Sequence, residues 1–488
     1  MSKIESDMEN RKEKEDICAA EGNVGIHLCL PWLTGGRELS GDTKTKTGRY
    51  FMFGNKNKLA FAAMIAALAL ITIAAVLKAA NGSGKREAER NEDSFAENRE
   101  QSDTDNINDD HAGQGTEKDE SDKNVKLNEI QTEPSVETDI PSISEIYKDY
   151  FPIGAAIEPG HTTGLTSELL KIHVNMLVAE NAMKPDAIQP REGIFQWTKA
   201  DRIVKFAKEN GMEVRFHTLV WHNQTPGWFF IDADGNPMAE ETDPEKREAN
   251  KKLLLERLET HIRTIVGRYK DDIRSWDVVN EVIEPSDPDG MRNSLWYRIT
   301  GTEYIETAFR AARDAGGPDL KLYINDYGTD DPVKRDRLYE LVKEMLDNGV
   351  PIDGVGHQTH INIHWPPVEQ IIKSMEKFAE LGLDNIITEL DMSIYAWNDR
   401  SDYGDDIPDH VMEKQAQRYN ELFEALRNNK ETVSAVLFWG ISDRHTWLHS
   451  FPVRRTDAPL PFDKNMHAKP AYWGIVDPSR LEGVYRRH

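Results

Sequence analysis

Two glutamates close apolar runs in this chain: Glu281 ends WDVVNE, which starts at Trp276, and Glu389 lies in ITELD. A carboxylate at the end of an apolar strand costs free energy unless something holds it. A pair of carboxylates is the minimum equipment for glycoside hydrolysis. One keeps a proton for the leaving oxygen; the other stays ionised to attack the sugar carbon. Burial and unequal neighbours must then push their pKa values apart. The sequence supplies such neighbours. Asp391 follows Glu389 by two positions and so shares its side of a strand. His360 ends the run GVGHQTH. An Asp391–His360–Glu389 chain is expected to orient Glu389 and keep it ionised. Asn280, beside Glu281, offers an amide to a substrate hydroxyl. Trp221, Tyr327, Trp439 and Trp447 supply ring faces of the kind that stack on sugars. His357, His360 and His364 in GHQTHINIH lack HExxH spacing and have no cysteine to help, so no metal and no cofactor is expected.

Any one strand-end glutamate in an acidic protein reads first as a solvated rim residue, and tryptophans read first as core. The case rests on the elements that place them together. Eight short apolar runs end in polar or aromatic residues: from Phe151, His173, Glu213, Ile273, Lys321, Gly354, Asn385 and Val433. Amphipathic stretches lie between them, such as ADRIVKFAKEN from Ala200, which stops at Gly211. Strands alternating with helices predict a parallel sheet, and eight such units predict a closed (β/α)8 TIM barrel of α/β class. An open doubly wound sheet is the alternative, but no GxGxxG or GxxxxGK[ST] follows the first strand. In a barrel the chemistry sits where the strands end. The two glutamates, about 110 residues apart in sequence, then face one another across the mouth.

The chain has 488 residues and a formal net charge of -25, which repels a phosphate backbone; no nucleic-acid partner is expected. Its 2 cysteines, Cys18 and Cys29, permit no disulfide framework downstream. Four segments follow from composition. Residues 1–58 are a polar leader, expected to be cytoplasmic. Residues 59–77, LAFAAMIAALALITIAAVL, run about 19 positions without a charge, enough to cross a bilayer as a single helix. Lys44, Lys46, Arg49, Lys56 and Lys58 precede it, which favours the N-terminus inside. The long leader and the poor cleavage pattern at Ala79 and Ala80 predict an uncleaved anchor rather than a signal peptide. Residues 78–142 are acidic and nearly devoid of apolar side chains, hence a disordered linker. Residues 143–488 have globular composition. The expected arrangement is a single-pass protein of the cell membrane with an extracellular catalytic domain, acting as a monomer.

With these residues in place, the domain resembles glycoside hydrolase family 10, the endo-β-1,4-xylanases, over residues 143–477. The segments that carry the likeness are AENAMKP from Ala179, RFHTLVWHNQTPGWF from Arg215, WDVVNE, YINDY, GHQTH, ITELD and LFWGISDRHTW from Leu437. The resemblance implies a retaining double displacement on xylan and xylooligosaccharides. Glu281 would be the acid/base, Glu389 the nucleophile, and Asn280 the partner of the sugar 2-hydroxyl. Glu180, Asn181 and Lys184 would bind sugars on the non-reducing side, with His217, Trp221 and Gln224 lining that side. Gln358 and His360 would sit by the nucleophile, with Asp391 behind His360. Trp439 and Trp447 would form an aromatic floor and lid, and Tyr327 would stack on the leaving-group side. Val282 and Gly328 depart from the family pattern and bear on loop shape there. Two other functions compete: a retaining hydrolase of another β-glycan, and an inactive membrane-tethered xylan-binding protein, for which neither glutamate would be needed.

Overall fold

The computed structural model describes residues 135–481. The expected leader 1–58, span 59–77 and most of the linker 78–142 lie outside the described residues. Among the described residues no helix is long and apolar enough to cross a membrane. The packed domain begins ahead of the expected boundary at Ile143. Val136 is buried and Ile140 packs on the core. Glu137 Oε2 accepts from the Ala468 amide at 2.8 Å, and the Tyr472 hydroxyl donates to the Pro141 carbonyl. Two aliphatic side chains in an otherwise polar stretch are too few to register as composition, yet they suffice to seat it.

Nine parallel strands build the wall: β1 (Ile153–Ile157), β2 (Met176–Ala179), β3 (Glu213–Phe216), β4 (Ser275–Asn280), β5 (Lys321–Asp326), β6 (Gly354–His357), β7 (His360–Asn362), β8 (Asp384–Ser393) and β9 (Ala435–Phe438). Each of β1 to β5 pairs with its successor, β6 pairs with both β5 and β8, and β9 pairs with both β8 and β1, so the sheet closes. The eight expected runs are therefore the eight staves of a barrel. The sixth breaks at Thr359 (φ 60°), and its short continuation β7 pairs with β8 alone, setting His360 opposite Asp391. One main helix follows each stave: α1 (Gly164–His173), α2 (Thr198–Glu209), α3 (Pro244–Tyr269), α4 (Glu303–Gly316), α5 (Pro332–Asp347), α6 (Val368–Ala379), α7 (Asp409–Asn428) and α8 (Pro470–Val476).

The interior is packed, not hollow. Ala156, Met176, Val178, Tyr323, Ile386, Ala435, Leu437 and Trp439 form one apolar cluster inside the staves. Gly354 leaves room for Tyr323: a Cβ there would lie 2.5 Å from its ring. Arg215 and Asp277 are buried in the same interior as an ion pair, and the guanidinium lies 4.3 Å over the Tyr323 ring. Removing either charge alone would strand the other, at about 3–5 kcal/mol.

His173 departs from expectation. It heads the second apolar run in sequence, but it ends α1. It is fully buried between Phe462 and Tyr472, with ring centroids 4.7 and 5.7 Å away, and neither ring nitrogen meets a hydrogen-bond partner. Burial pushes its pKa down to about 4. The folded value lies below the unfolded one of about 6.5, so the neutral ring favours the fold. That contribution is whole above about pH 6.5 and is lost as pH falls toward 4. We expect His173→Leu to reduce the drop in unfolding free energy between pH 7 and pH 4.5 by about 2–3 kcal/mol. Denaturant titrations at the two pH values measure it, and an identical drop in parent and variant would refute the assignment.

Candidate active site

Strand β4 leads directly into Glu281 and β8 carries Glu389, and both strands lose regular register as they reach the mouth. β4 shifts between Asp277 and Val279, and β8 between Ile387 and Leu390. Such bulges re-aim a side chain next to a site. Beyond β4 the backbone turns left-handed at Glu281 (φ 58°), an uncommon conformation for a residue with a Cβ. The Glu281 amide donates to the Asn325 carbonyl at 2.8 Å, and Arg292 Nε donates to the Glu281 carbonyl at 2.7 Å. These bonds fix the turn. The side chain then lies at the rim, 13 % exposed, with Oε1 accepting from Gln358 Nε2 at 3.0 Å and Oε2 3.9 Å from His222 Nδ1.

Glu389 is more enclosed, at 6 % exposure. Asn325 Nδ2 donates to its Oε1 at 2.8 Å, His360 Nε2 lies 3.2 Å from Oε2, and His217 Nδ1 lies 3.9 Å from Oε1. Burial alone would raise this carboxyl's pKa. The charge of His217, the bond and charge of His360 and the bond from Asn325 outweigh burial and hold it below the usual carboxylate range. His360 is held in turn. Its Nδ1 lies 3.0 Å from Asp391 Oδ2. Burial opposes the imidazolium, but Asp391 and Glu389 together keep it protonated to about pH 10. Trp447 Nε1 donates to the same Asp391 oxygen at 2.8 Å. The expected Asp391–His360–Glu389 chain is thus present.

An amide bridge joins the two glutamates. Asn325 Nδ2 donates both to Glu389 Oε1 and to Asn280 Oδ1 (2.9 Å), while Gln358 Nε2 donates to Asn280 Oδ1 (3.2 Å) and to Glu281 Oε1. This orientation leaves the Asn280 NH2 3.2 Å from Trp221 Nε1, donor against donor. Rotating the amide would relieve that contact and let the NH2 donate to the Asn325 backbone oxygen at 3.2 Å, but it would set the NH2 against two amide donors that the glutamates already fix, so we assign the oxygen toward Asn325. The Gln358 side chain therefore serves Glu281, and only its carbonyl, accepting from the Glu389 amide at 3.0 Å, serves Glu389. Sequence reasoning gave Asn325 no role, although it lies one residue before the end of β5. Its side-chain Oδ1 accepts from Thr388 Oγ1 at 2.7 Å and occupies space left by Gly356, where a Cβ would lie 2.3 Å away.

To one side lie Glu180, Asn181, Lys184, Trp221 and Gln224. Asn181 Oδ1 accepts from Lys184 Nζ (3.1 Å) and Gln224 Nε2 (3.2 Å), and Asn181 Nδ2 donates to Glu158 Oε1 (2.7 Å). Lys184 Nζ sits 4.7 Å over the Trp221 ring. Burial, then the neighbouring Glu158 charge, raises the Glu180 carboxyl to about 7 against the pull of Lys184. Glu158, at the end of the first apolar run, was also given no role in sequence. His217 is placed against Glu389, its ring edge-on to Trp439 at 5.4 Å and its Nδ1 3.1 Å from Asp277 Oδ2. Trp439 is buried at the top of the barrel interior; Trp447 packs edge-on to His360 at 5.1 Å. Tyr327 stands on another side, its hydroxyl 2.8 Å from Arg292 Nη2 and 3.3 Å from Glu284 Oε2. The three histidines of GHQTHINIH turn to different partners: His357 to Thr329 and Asn385, His360 to Glu389, His364 to Lys414. Among the described residues no group of three or more His, Cys, Asp or Glu is placed to hold a metal ion.

This arrangement has relatives. A family model described as glycosyl hydrolase family 10 matches residues 142–478. A protein named thermostable celloxylanase from Thermoclostridium stercorarium is 74% identical over 343 residues, spanning 70% of this chain and 89% of its own. Endo-1,4-beta-xylanase A of Halalkalibacterium halodurans is 56% identical over 357 residues, 72% of this chain and 90% of its own. Among solved structures, xylanase B from Clostridium stercorarium F9 matches with a TM-score of 0.69 at 74% identity, covering 70% of this chain and 100% of its own. A mutant of the Thermoanaerobacterium saccharolyticum xylanase TsXylA, solved with xylotetraose, matches at 0.62 and 42% identity, covering 70% of this chain and 100% of its own.

If the His360 imidazolium keeps Glu389 ionised, His360→Leu raises the Glu389 carboxyl pKa. Carboxyl 13C NMR titration of parent and variant reads it directly. An unmoved Glu389 resonance would show that burial and Asn325 alone set its charge.

Proposed function

The chain belongs to glycosyl hydrolase family 10, and from that premise and its two held carboxylates we infer that it is an endo-1,4-β-xylanase that retains anomeric configuration. The observation that carries the reading is the unequal holding of the two glutamates. Glu389 is enclosed, anionic and fixed at both oxygens; Glu281 lies at the rim on amide donors. In the first step Glu389 attacks the anomeric carbon of a xylosyl unit. The carbon–oxygen bond to the leaving sugar breaks, and Glu281 gives its proton to that oxygen. A glycosyl ester on Glu389 results. In the second step Glu281 takes a proton from water, the water oxygen bonds to the same carbon, and Glu389 leaves as the carboxylate. The pinned His360 and Asn325 support this role for Glu389, because they stabilise its charge before attack and after departure.

The Asn280 amide, beside Glu281 and linked to Glu389 through Asn325, is suited to a hydroxyl of the sugar being cleaved. The Glu180, Asn181, Lys184, Trp221 and Gln224 group offers acceptors, donors and a ring face on the non-reducing side. Trp439 and Trp447 are suited to floor and lid. A retaining hydrolase of another β-glycan is the second reading, favoured by the relative named celloxylanase. Reducing-sugar release from xylan, set beside release from β-glucans, decides between them. Glu389→Gln lowers turnover on xylan at least about 10⁴-fold. Glu281→Ala lowers turnover on xylan about 10²–10⁴-fold but spares the first step on aryl xylobiosides with good leaving groups. An equal loss on good and poor leaving groups would remove Glu281 from the acid role.

We further propose that the catalytic domain is anchored outside the cell membrane by residues 59–77. The uncharged length of that segment and the lysines ahead of it support this reading. The full chain should sediment with membranes, resist a high-salt wash, and be released by detergent. Protease added to intact cells should remove the xylanase activity. Recovery in a salt wash would defeat the anchor.

A further inference from the structure

Lys334 stands where helix physics disfavours a lysine. It is the third residue of α5, whose cap Asp331 accepts from the backbone amides of Val333 and Lys334. A cation in the first turn opposes the helix dipole, and Lys334 is also 96 % buried, its relative exposure being 4 %. Its ammonium nitrogen lies 2.7 Å from Asp326 Oδ1, and 3.1 Å from the centroid of the Tyr327 ring. Asp326 is buried as well, and it does more than neutralise the lysine. Its Oδ1 also accepts from the Tyr327 amide at 2.9 Å, and its Oδ2 from the Ile283 amide at 3.1 Å, two residues beyond Glu281. The Tyr327 hydroxyl is held separately by Arg292 and Glu284. The ring is therefore fixed at its backbone, at its hydroxyl and on one face. The Arg292 guanidinium also lies over the ring, 5.6 Å from its centroid; the ring stays partly exposed while Lys334 is buried.

We propose that Lys334 is a positioning residue for the leaving-group sugar: its buried ammonium seats the Tyr327 ring, so that the exposed part of the ring meets the sugar about to depart. This rests on reading Tyr327 as the leaving-side platform. A buried ammonium under an aromatic face is a strong local attraction because no water competes for it. A methionine of similar length would fill the volume, but it would supply no such attraction and no counter-charge for Asp326. The Asp326 link to Ile283 ties the platform to the loop that carries Glu281, so the acid and the sugar it protonates share one support.

The test compares two substrates. Xylotetraose cleaved centrally places sugars on the leaving side; xylobiosyl fluoride has a leaving group with no ring. In Lys334→Met, the loss in kcat/KM on xylotetraose should exceed the loss on the fluoride on the order of ten-fold. Lys334→Met strands the Asp326 carboxylate, so D326N/K334M, which removes both charges, is measured beside it, with thermal melting of each. The same selective loss is expected there. Adding Lys334→Met to Tyr327→Ala should produce no further selective loss, because the two act as one unit. Equal losses on both substrates in both lysine variants would make Lys334 merely structural and overturn the inference. So would losses that multiply with that of Tyr327→Ala. If Tyr327→Ala is selective and the lysine variants are not, the inference about Lys334 fails and the reading of Tyr327 stands. If Tyr327→Ala is itself not selective, the platform reading fails.

Discussion

A carboxylate enclosed on nearly every side stays an anion only if donors and cations replace the water it has lost. Glu389 is in that position, and the architecture around it answers the requirement. Its partners come from β5 (Asn325), β7 (His360) and the residue that follows β3 (His217), its own place being on β8. No single segment of chain could deliver three such groups to one carboxylate. A closed barrel does so because strand ends distant in sequence become neighbours around one rim. The partners need holding as well. Asp277 and Asp391 stand behind His217 and His360, Thr388 behind Asn325, and Arg215 behind Asp277 in the apolar interior. The site is thus the upper layer of a polar column that passes into the barrel core.

Where this architecture was legible in sequence, two periodicities made it so. Eight apolar runs with polar ends gave the staves, and the glutamates stood out because they ended such runs. Asp391 was found because a spacing of two puts side chains on one side of a strand. His173 was misplaced for the converse reason: an apolar run says where burial starts, not whether the first buried residue still belongs to the helix before it. Asn325 lies near the end of a run too, but a neutral amide carries no visible chemistry until its two acceptors, from β4 and β8, are beside it. Glu158 and Lys334 were overlooked in the same way. A lysine in the first turn of a helix reads as surface until Asp326 and Tyr327 are seen around it.

The two sides of the cleft are built on different physical terms. On the Glu180 side, acceptors and donors form a chain of exchangeable hydrogen bonds, from Glu158 through Asn181 to Lys184 and Gln224, and one carboxyl is protonated below about pH 7. On the Tyr327 side, charges are locked in buried or half-buried pairs that a sugar hydroxyl cannot easily open. The first surface can exchange its internal bonds for bonds to a ligand; the second offers mainly a rigid plane. Such a division suits a reaction in which one part of the substrate stays bound through two chemical steps while the other departs after the first.

Gly356 carries no functional group, yet its missing side chain is the space in which the Asn325 side-chain oxygen sits. Any other residue would press on the amide that bridges Glu389 and Asn280. Substitutional tolerance at this position is therefore set by proton chemistry on strands β4 and β8, neither of which bears it. A search for essential positions by what side chains can do would pass over it, because here the essential property is an unoccupied volume.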